Sequence, residues 1–279
     1  MKSRAPLTIT ADAVGKCGTL HPMDGTTASR RGQDSQPRGI RARRRMATEQ
    51  DILRVAREHL AKEGAAALSL RAIARELGMV SSGIYRYVES RDELLTRLIV
   101  NAYTSLADEV SQLHAAADTL DHADLDGRWR AIGRGLRRWA LAHPHDFALI
   151  YGSPVPDYHA PAERTDAAGT AVLALLVHLA GDAGTAGRLA PALDPSAARR
   201  ATAALLSDPL VAEHPVTPEA LFNGLAAWTL LLGTVTGEVF GQLGADTLPD
   251  PDLYFEVMLE TAGRLLIAAP GTAQPSPTG

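Results

Sequence analysis

Only one cysteine, Cys17, occurs in 279 residues, so the chain can form no internal disulfide and a reducing compartment is its expected setting. Aromatic residues make up 5% of the chain, while alanine, leucine and glycine abound, which argues against a sheet-built core and for helices. No run of about 18 uncharged apolar residues appears, and the N-terminal residues carry no apolar signal core. The expectation is a cytoplasmic protein with no membrane role. Basic and acidic residues nearly balance, at 28 against 32, so no single-signed field covers the whole chain and local charge distribution decides its partners. An apolar content of 46% is ample for a real core, in one large domain or two smaller ones.

Residues 1–45 have few large apolar side chains and no period, and they end in the run "RGIRARRR" with Arg38, Arg41, Arg43, Arg44 and Arg45. They are expected to form a disordered basic tail, or to precede the true start at Met46. The functional alternative is a basic arm on nucleic acid phosphates. From residue 48 the pattern changes. Ile52, Val55, Ala56 and Leu60 recur at helical spacing, with Thr48 placed to cap and Gly64 to stop. In "SLRAIARELG", Ser69 is the cap, Leu70, Ile73, Ala74 and Leu77 form one inward stripe, and Gly78 ends the helix. A third short helix is expected over 81–88. "SRDE" at 90–93 then reads as a capping box, Ser90 with Glu93, opening a long helix through Leu94, Leu98, Ala102 and Leu106.

On a helical wheel Val80, Ile84 and Val88 fall inward, while Ser82, Tyr85 and Arg86 face away with Ser81 beside them. The preceding helix likewise turns Arg71 and Arg75 outward. Two short helices joined through Gly78-Met79, the second opening on small polar residues, describe a helix-turn-helix. Small serines let a backbone approach the major-groove floor, and arginine and tyrosine reach phosphate oxygens. Segment 48–95 closely resembles the DNA-binding domain of the TetR family of transcriptional regulators. The resemblance is carried by "SLRAIARELGMVSSGIYRYVESRDELL", in which Ile73, Ala74, Gly78, Ile84, Tyr85, Tyr87, Val88, Ser90, Leu94 and Leu95 fall on motif positions or accepted replacements. Three positions depart from the pattern: Val80 stands where a capping serine is common, Tyr87 replaces a histidine and Arg91 a lysine. The resemblance places Arg71, Ser81, Ser82 and Gly83 near bases and Tyr85, Arg86 and Tyr87 mainly on phosphates of double-stranded DNA.

The remaining chain reads as further helices: about 128–142, carrying Trp129, Ile132, Leu136 and Trp139 and stopped by Pro144; about 162–180; about 196–207; and two opened by Thr217-Pro218 and Asp250-Pro251. "SPVPDYHAP" must be a loop, "GDAGTAG" at 181–187 a flexible connection, and the tail after Pro270 disordered. "RWRAIGRGLRRWALAHPHDFALIYGS" resembles the start of a C-terminal domain of some TetR regulators named for its Trp, His and Gly residues. Trp228 and Gly233 fit its late helix, and Leu232 stands where the histidine is expected. The resemblance implies a ligand-binding and dimerisation domain. Trp129, Trp139, Phe147, Tyr151 and Trp228 are the aromatic candidates for a small-molecule site, though such stripes more often pack as core. Gly233, Gly237 and Gly241, at a strict four-residue spacing, suggest a flat strip for close approach of a second helix in a dimer. Asn223 and Glu238 argue against reading that helix as a membrane span.

The sequence therefore predicts an all-α protein. A basic tail (1–45) precedes a helix-turn-helix three-helix DNA-binding domain (46–95), a helical regulatory and dimerisation bundle (96–268) and a short tail (269–279). The expected function is a ligand-responsive repressor that binds a pseudo-palindromic operator as a homodimer, since paired half-sites require a dimer. An activator on the same fold, or an interaction module that has lost DNA binding, are the alternatives. No enzyme activity, cofactor or metal is expected: His143 and Asp146 lack a partner nucleophile, and His143, His145 and His159 lack ligand spacing.

Overall fold

The structure, a computed structural model, describes residues 36–212, 214–244 and 247–269. These residues are helical, with one isolated bridge, Leu189 to Ile267, as the sole β pairing among them. The chain divides into two compact units at the step from Leu98 to Ile99.

The first unit holds α1 (Gln36–Glu63), a 3-10 turn (Ala65–Ala67), α2 (Leu70–Glu76), a second 3-10 turn (Ile84–Arg86) and the opening turns of α3 (Arg91–Leu120). Ile52, Val55, Ala56 and Leu60 of α1, Ile73 and Ala74 of α2, Ile84 and Val88, and Leu94, Leu95 and Leu98 are all buried, and α2 packs against both α1 and the second 3-10 turn. Helix α1 does not begin at Thr48. It starts twelve residues earlier, and the Thr48 hydroxyl donates back to the Arg44 carbonyl at 3.0 Å. The arginine-rich run between Gly39 and Thr48 holds good helix formers and no breaker, so the threonine sits mid-helix. Residues 36–45 of the expected tail are thus helix, and residues 1–35 lie outside the described residues. Ser90 caps α3 as expected, accepting the Glu93 amide at 3.0 Å, while the Glu93 carboxylate accepts Arg97 Nε at 2.7 Å. His59 and Glu76, 2.8 Å apart, join α1 to α2, and that hydrogen bond holds the Glu76 carboxyl below its ordinary range.

The second unit comprises the rest of α3, then α4 (Leu125–Ala142), α5 (Pro144–Tyr151), α6 (Ala162–Gly169), α7 (Ala171–Thr185), α8 (Pro195–Thr202), α9 (Pro209–Ala212), α10 (Pro218–Val239) and α11 (Pro251–Leu266). The capped starts read from the sequence are present: Thr217 Oγ1 accepts the Ala220 amide at 3.2 Å and Asp250 the Leu253 amide at 2.9 Å, each followed by proline at the first helical position. Three details differ. Pro144 opens α5 rather than merely stopping α4, because its fixed φ and missing N–H suit a first turn. The expected helix at 162–180 breaks at Thr170. "GDAGTAG" is largely the last turns of α7, with Gly187 beyond them at φ +65°. α10 is long and apolar enough to cross a membrane by length and hydropathy, but 56% of that stretch is buried within the fold, and it packs against α4, α7, α8 and α11.

Close packing in this unit depends on glycine in two places where helices α4 and α11 meet. A Cβ on Gly133 would run into a Leu259 methyl carbon, and one on Gly263 would lie 2.8 Å from the Trp129 indole. The indole cannot retreat cheaply, since its N–H donates to the Leu259 carbonyl at 2.8 Å. Outside this seam, Arg130 reaches Glu260, Arg134 grips Glu256 with two nitrogens, and Arg137 bridges Glu238 and Asp252.

Two histidines here set an acid response. Burial pushes the His114 imidazole below its ordinary range, helped by the Arg128 charge. Burial does the same to His178, whose ring nitrogen lies 2.5 Å from that of His214. Below about pH 6.5 the unfolded chain therefore takes up protons that the folded chain refuses. Stability is expected to fall as pH drops from about 6.5 to 5, above the range where the lowered carboxyls of Asp118 and Glu256 begin to protonate. Urea unfolding across this window checks it. His114→Gln should flatten the fall, and stability that rises on acidification would refute the assignment.

Candidate nucleic-acid interface

The first unit builds its exposed face from three local devices. Ser69 caps α2 through its hydroxyl, which accepts the Ala72 amide at 3.5 Å and starts the helix with Arg71 in its first turn. Gly78 takes φ +64°, a left-handed value that a side chain would resist, and lets the Met79 amide reach the Ala74 carbonyl at 2.8 Å. The chain then pinches at Val80–Gly83, where the Gly83 amide donates to the Val80 carbonyl at 2.7 Å. Ile84 drops into the core with no exposed surface and anchors the segment, leaving Ser81, Ser82, Tyr85 and Arg86 outside.

The expected α-helix over 81–88 is therefore a turn followed by one 3-10 turn, Ile84–Arg86. Paired serines, a glycine and β-branched neighbours favour tight local turns over α-helix propagation. Two side chains also differ from the helical-wheel reading. Val80 points outward, 72% exposed, because the wheel does not apply to a turn. Gly83 is buried: an added Cβ would meet the Val80 carbonyl oxygen at 3.0 Å, so its part is to allow the pinch that presents the serines.

The other sequence-predicted residues gather on this face. Arg71, Arg75 and Ser81 line one open depression with Ser69, Ala72, Met79 and Val80, and no carboxylate stands among its walls. Tyr85 and Arg86 are exposed beyond it. Tyr87 is half-buried, and the Arg45 guanidinium lies over its ring, 5.6 Å from the centroid, while donating to the Arg86 carbonyl at 3.3 Å. The chemistry is that of an anion-facing surface with serine hydroxyls at its centre. Such a surface can contact phosphate oxygens while small polar residues approach base edges. Arg75 and Arg45 join this face in addition to the residues that the motif points to. Arg75 follows Arg71 by one helical turn, which was visible in the sequence. The position of Arg45 became apparent only with its contact 41 residues away.

The aromatic candidates in the second unit are core. Trp129, Trp139 and Phe147 are essentially unexposed, and Trp228 nearly so. The Trp139 indole donates to Ser105 at 3.0 Å, and Tyr151, its hydroxyl pKa raised by burial, packs against Phe147 and Tyr103. None of the five lines the apolar cavity of about 150 Å³ that this unit contains. Leu173, Leu176, Val177, Val211, Leu221 and Leu225 form its walls, with Thr170 and Asp208 as polar members. Of the three glycines, Gly233 and Gly237 open onto a broad groove of α10 and α11, and a Cβ on either meets nothing within 4 Å. Gly241 is not in the helix: at φ +62° it forms the cap, with the Gln242 amide on the Gly237 carbonyl at 2.9 Å. His143 is exposed with Nδ1 3.0 Å from the Trp139 carbonyl, and among the described residues no three side chains converge as metal ligands.

Comparison with known proteins gives this geometry its context. Residues 52–98 match the family model of bacterial regulatory proteins, tetR family, and residues 129–262 match that of the tetracyclin repressor-like C-terminal domain. HTH-type transcriptional regulators from Mycobacterium bovis and Mycobacterium tuberculosis are each 41% identical over 239 residues, covering 82% of this chain and 95% of the relative. Among solved structures, a protein described as regulatory, SCO4313, is similar with a TM-score of 0.65 and 33% identity over 79% of this chain and 97% of that one. A TetR family transcription regulator from Marinobacter aquaeolei VT8 shares the fold, with a TM-score of 0.52 and 15% identity, across 82% of this chain and 100% of its own. The chain belongs to the TetR family of transcriptional regulators, with the family's helix-turn-helix DNA-binding domain and helical C-terminal domain, and is a DNA-binding regulator rather than an enzyme.

Proposed function

We propose that the protein is a cytoplasmic, ligand-responsive repressor that binds a pseudo-palindromic operator as a homodimer. The observation that carries the reading is the exposed set Arg71, Ser81, Ser82, Tyr85 and Arg86, held out by the buried anchors Ile73 and Ile84. In this reading Arg71, Ser81 and Ser82 face bases, and Tyr85, Arg86 and Tyr87 face phosphates. Residues 46–95 act as the reading domain, extended by the helical residues before Met46, and residues 96–268 as the regulatory domain.

A single short reading element gives little site selectivity, so two must act together at spaced half-sites. The groove of α10 and α11 supports a role as the pairing face: it holds Gly233 and Gly237, and Phe222, Leu253, Val257 and Leu265 are exposed on the same two helices. The apolar cavity supports a small uncharged hydrophobic effector. Such a molecule releases DNA only if it binds the DNA-incompetent state better, and a coupling of about 1–3 kcal/mol gives a 5- to 150-fold change.

The pairing face is tested with Gly233→Arg, because Gly233 is exposed and an added Cβ there meets nothing within 4 Å. Sedimentation of the variant is expected to show monomer with native helicity, and its operator affinity should fall by roughly 100-fold or more as the paired half-sites uncouple. A variant that remains dimeric and binds as tightly as the parent would rule out this face.

A further inference from the structure

Beyond the residues just assigned to DNA, the N-terminal turns of α1 form a second basic feature whose direction is fixed by contact. Arg41, Arg44 and Arg45 occupy positions i, i+3 and i+4, so they share one stripe of the helix. Arg45 shows which way that stripe faces. Its guanidinium covers the Tyr87 ring and donates to the Arg86 carbonyl, while Glu49 holds its Nε at 2.9 Å. Arg41 lies one turn farther out on the same side, about 5–6 Å along the axis, and both it and Arg44 are exposed.

The residues three and four positions from Arg41 are Pro37, Arg38, Arg44 and Arg45, so its helical neighbours offer no carboxylate. Three like charges on one stripe repel one another, and a helix that gathers them gains most from an anionic surface laid along it. The stripe continues outward from the same Tyr87 and Arg86 that the proposed function puts against the sugar-phosphate wall. A duplex seated on Tyr85 and Arg86 therefore has its flanking backbone on the side toward Arg41 and Arg44.

We infer that Arg41 and Arg44 form a phosphate-contacting ridge that extends the duplex footprint beyond the half-site, with Arg45 positioning the ridge against Tyr87. This inference rests on the DNA-binding reading above. Phosphate contacts carry no sequence information, so the ridge raises affinity and salt sensitivity while leaving sequence preference alone.

The test uses the full chain and two duplexes, one enriched from a random pool and one with the same bases scrambled. Binding constants are measured over a range of salt for the parent, for the double variant Arg41→Ala/Arg44→Ala, and for Arg200→Ala as a charge control on α8. The double variant, with unchanged helicity, is expected to show a log–log salt slope shallower by about 1–2, at roughly 0.9 per lost phosphate contact. Its affinity at low salt should drop about tenfold or more on both duplexes, and the control should match the parent. An unaltered slope on both duplexes overturns the ridge, as does a loss confined to the enriched sequence, which would mean base readout. If the folded parent binds neither duplex, the DNA reading falls and the ridge with it.

Discussion

Arg71→Ala is expected to weaken binding to the preferred duplex by about 5- to 150-fold, or about 1–3 kcal/mol, and to relax selectivity at one base pair of each half-site. The side chain leaves the first turn of α2, immediately after the Ser69 cap, and stands in the depression beside Arg75 and Ser81. Because it is exposed and the cap belongs to Ser69, the substitution should leave thermal stability nearly unchanged. Arg86→Ala makes the informative contrast. Its guanidinium is exposed on the 3-10 turn beyond the depression, where a phosphate is the natural partner. Affinity should then fall uniformly across sequences, with a salt slope shallower by about 1. Competition binding against single-base variants of the duplex separates the two outcomes. If Arg71→Ala weakens all sequences equally, Arg71 is a phosphate contact and the base assignment fails.

The largest stability effect is expected at Arg128, whose partners lie on elements distant in sequence. The side chain is 3% exposed in the second unit, and its donors are spent on three elements. Nε faces Asp118 at 3.0 Å and His114 Nε2 at 3.4 Å, Nη1 donates to the His122 carbonyl at 3.2 Å, and Nη2 to Asp182 at 2.8 Å. It thus ties α3, the turn after it and α7 to α4. Removing one member of a buried ion pair costs about 3–5 kcal/mol when the partner is left without water. Here Asp118 and Asp182 are each 37% exposed and can rehydrate, so Arg128→Met should cost less, about 2–4 kcal/mol. Arg128→Lys should recover little, because one ammonium cannot replace a fork that serves several acceptors at once. Urea unfolding of both variants decides the matter. A loss below about 1 kcal/mol would show that the cluster does not hold these helices together.

The parts of the fold legible in the sequence are those specified within a few residues. The Ser69 cap and the Gly78 stop fix α2, and Thr217-Pro218 and Asp250-Pro251 fix two later starts. The exposed face was legible in part: the motif buries Ile73 and Ile84 and leaves Arg71, Ser81, Ser82, Tyr85 and Arg86 exposed, while Gly83, spaced like an outward residue, is buried. What was not legible depends on distant partners or on competition between near-equal conformations. Thr48 looked like a cap, but the arginines before it carry the helix through. Residues 81–88 had helical spacing, yet Gly83 and the paired serines let a tight turn win. Gly241 kept the four-residue period of Gly233 and Gly237 while serving as the helix terminator, a distinction made only by its positive φ. The aromatic side chains suit a ligand site by residue type, but the cavity is walled by leucines and valines whose convergence comes from three separate segments.

The central claim, that this fold reads a two-fold DNA site, is tested most directly by selecting sequences bound by the protein from a random duplex pool. The account predicts enrichment of an inverted repeat with a fixed half-site separation and affinity that falls steeply as salt rises. A folded, dimeric sample that enriches no inverted repeat, or that binds every duplex alike, would contradict it.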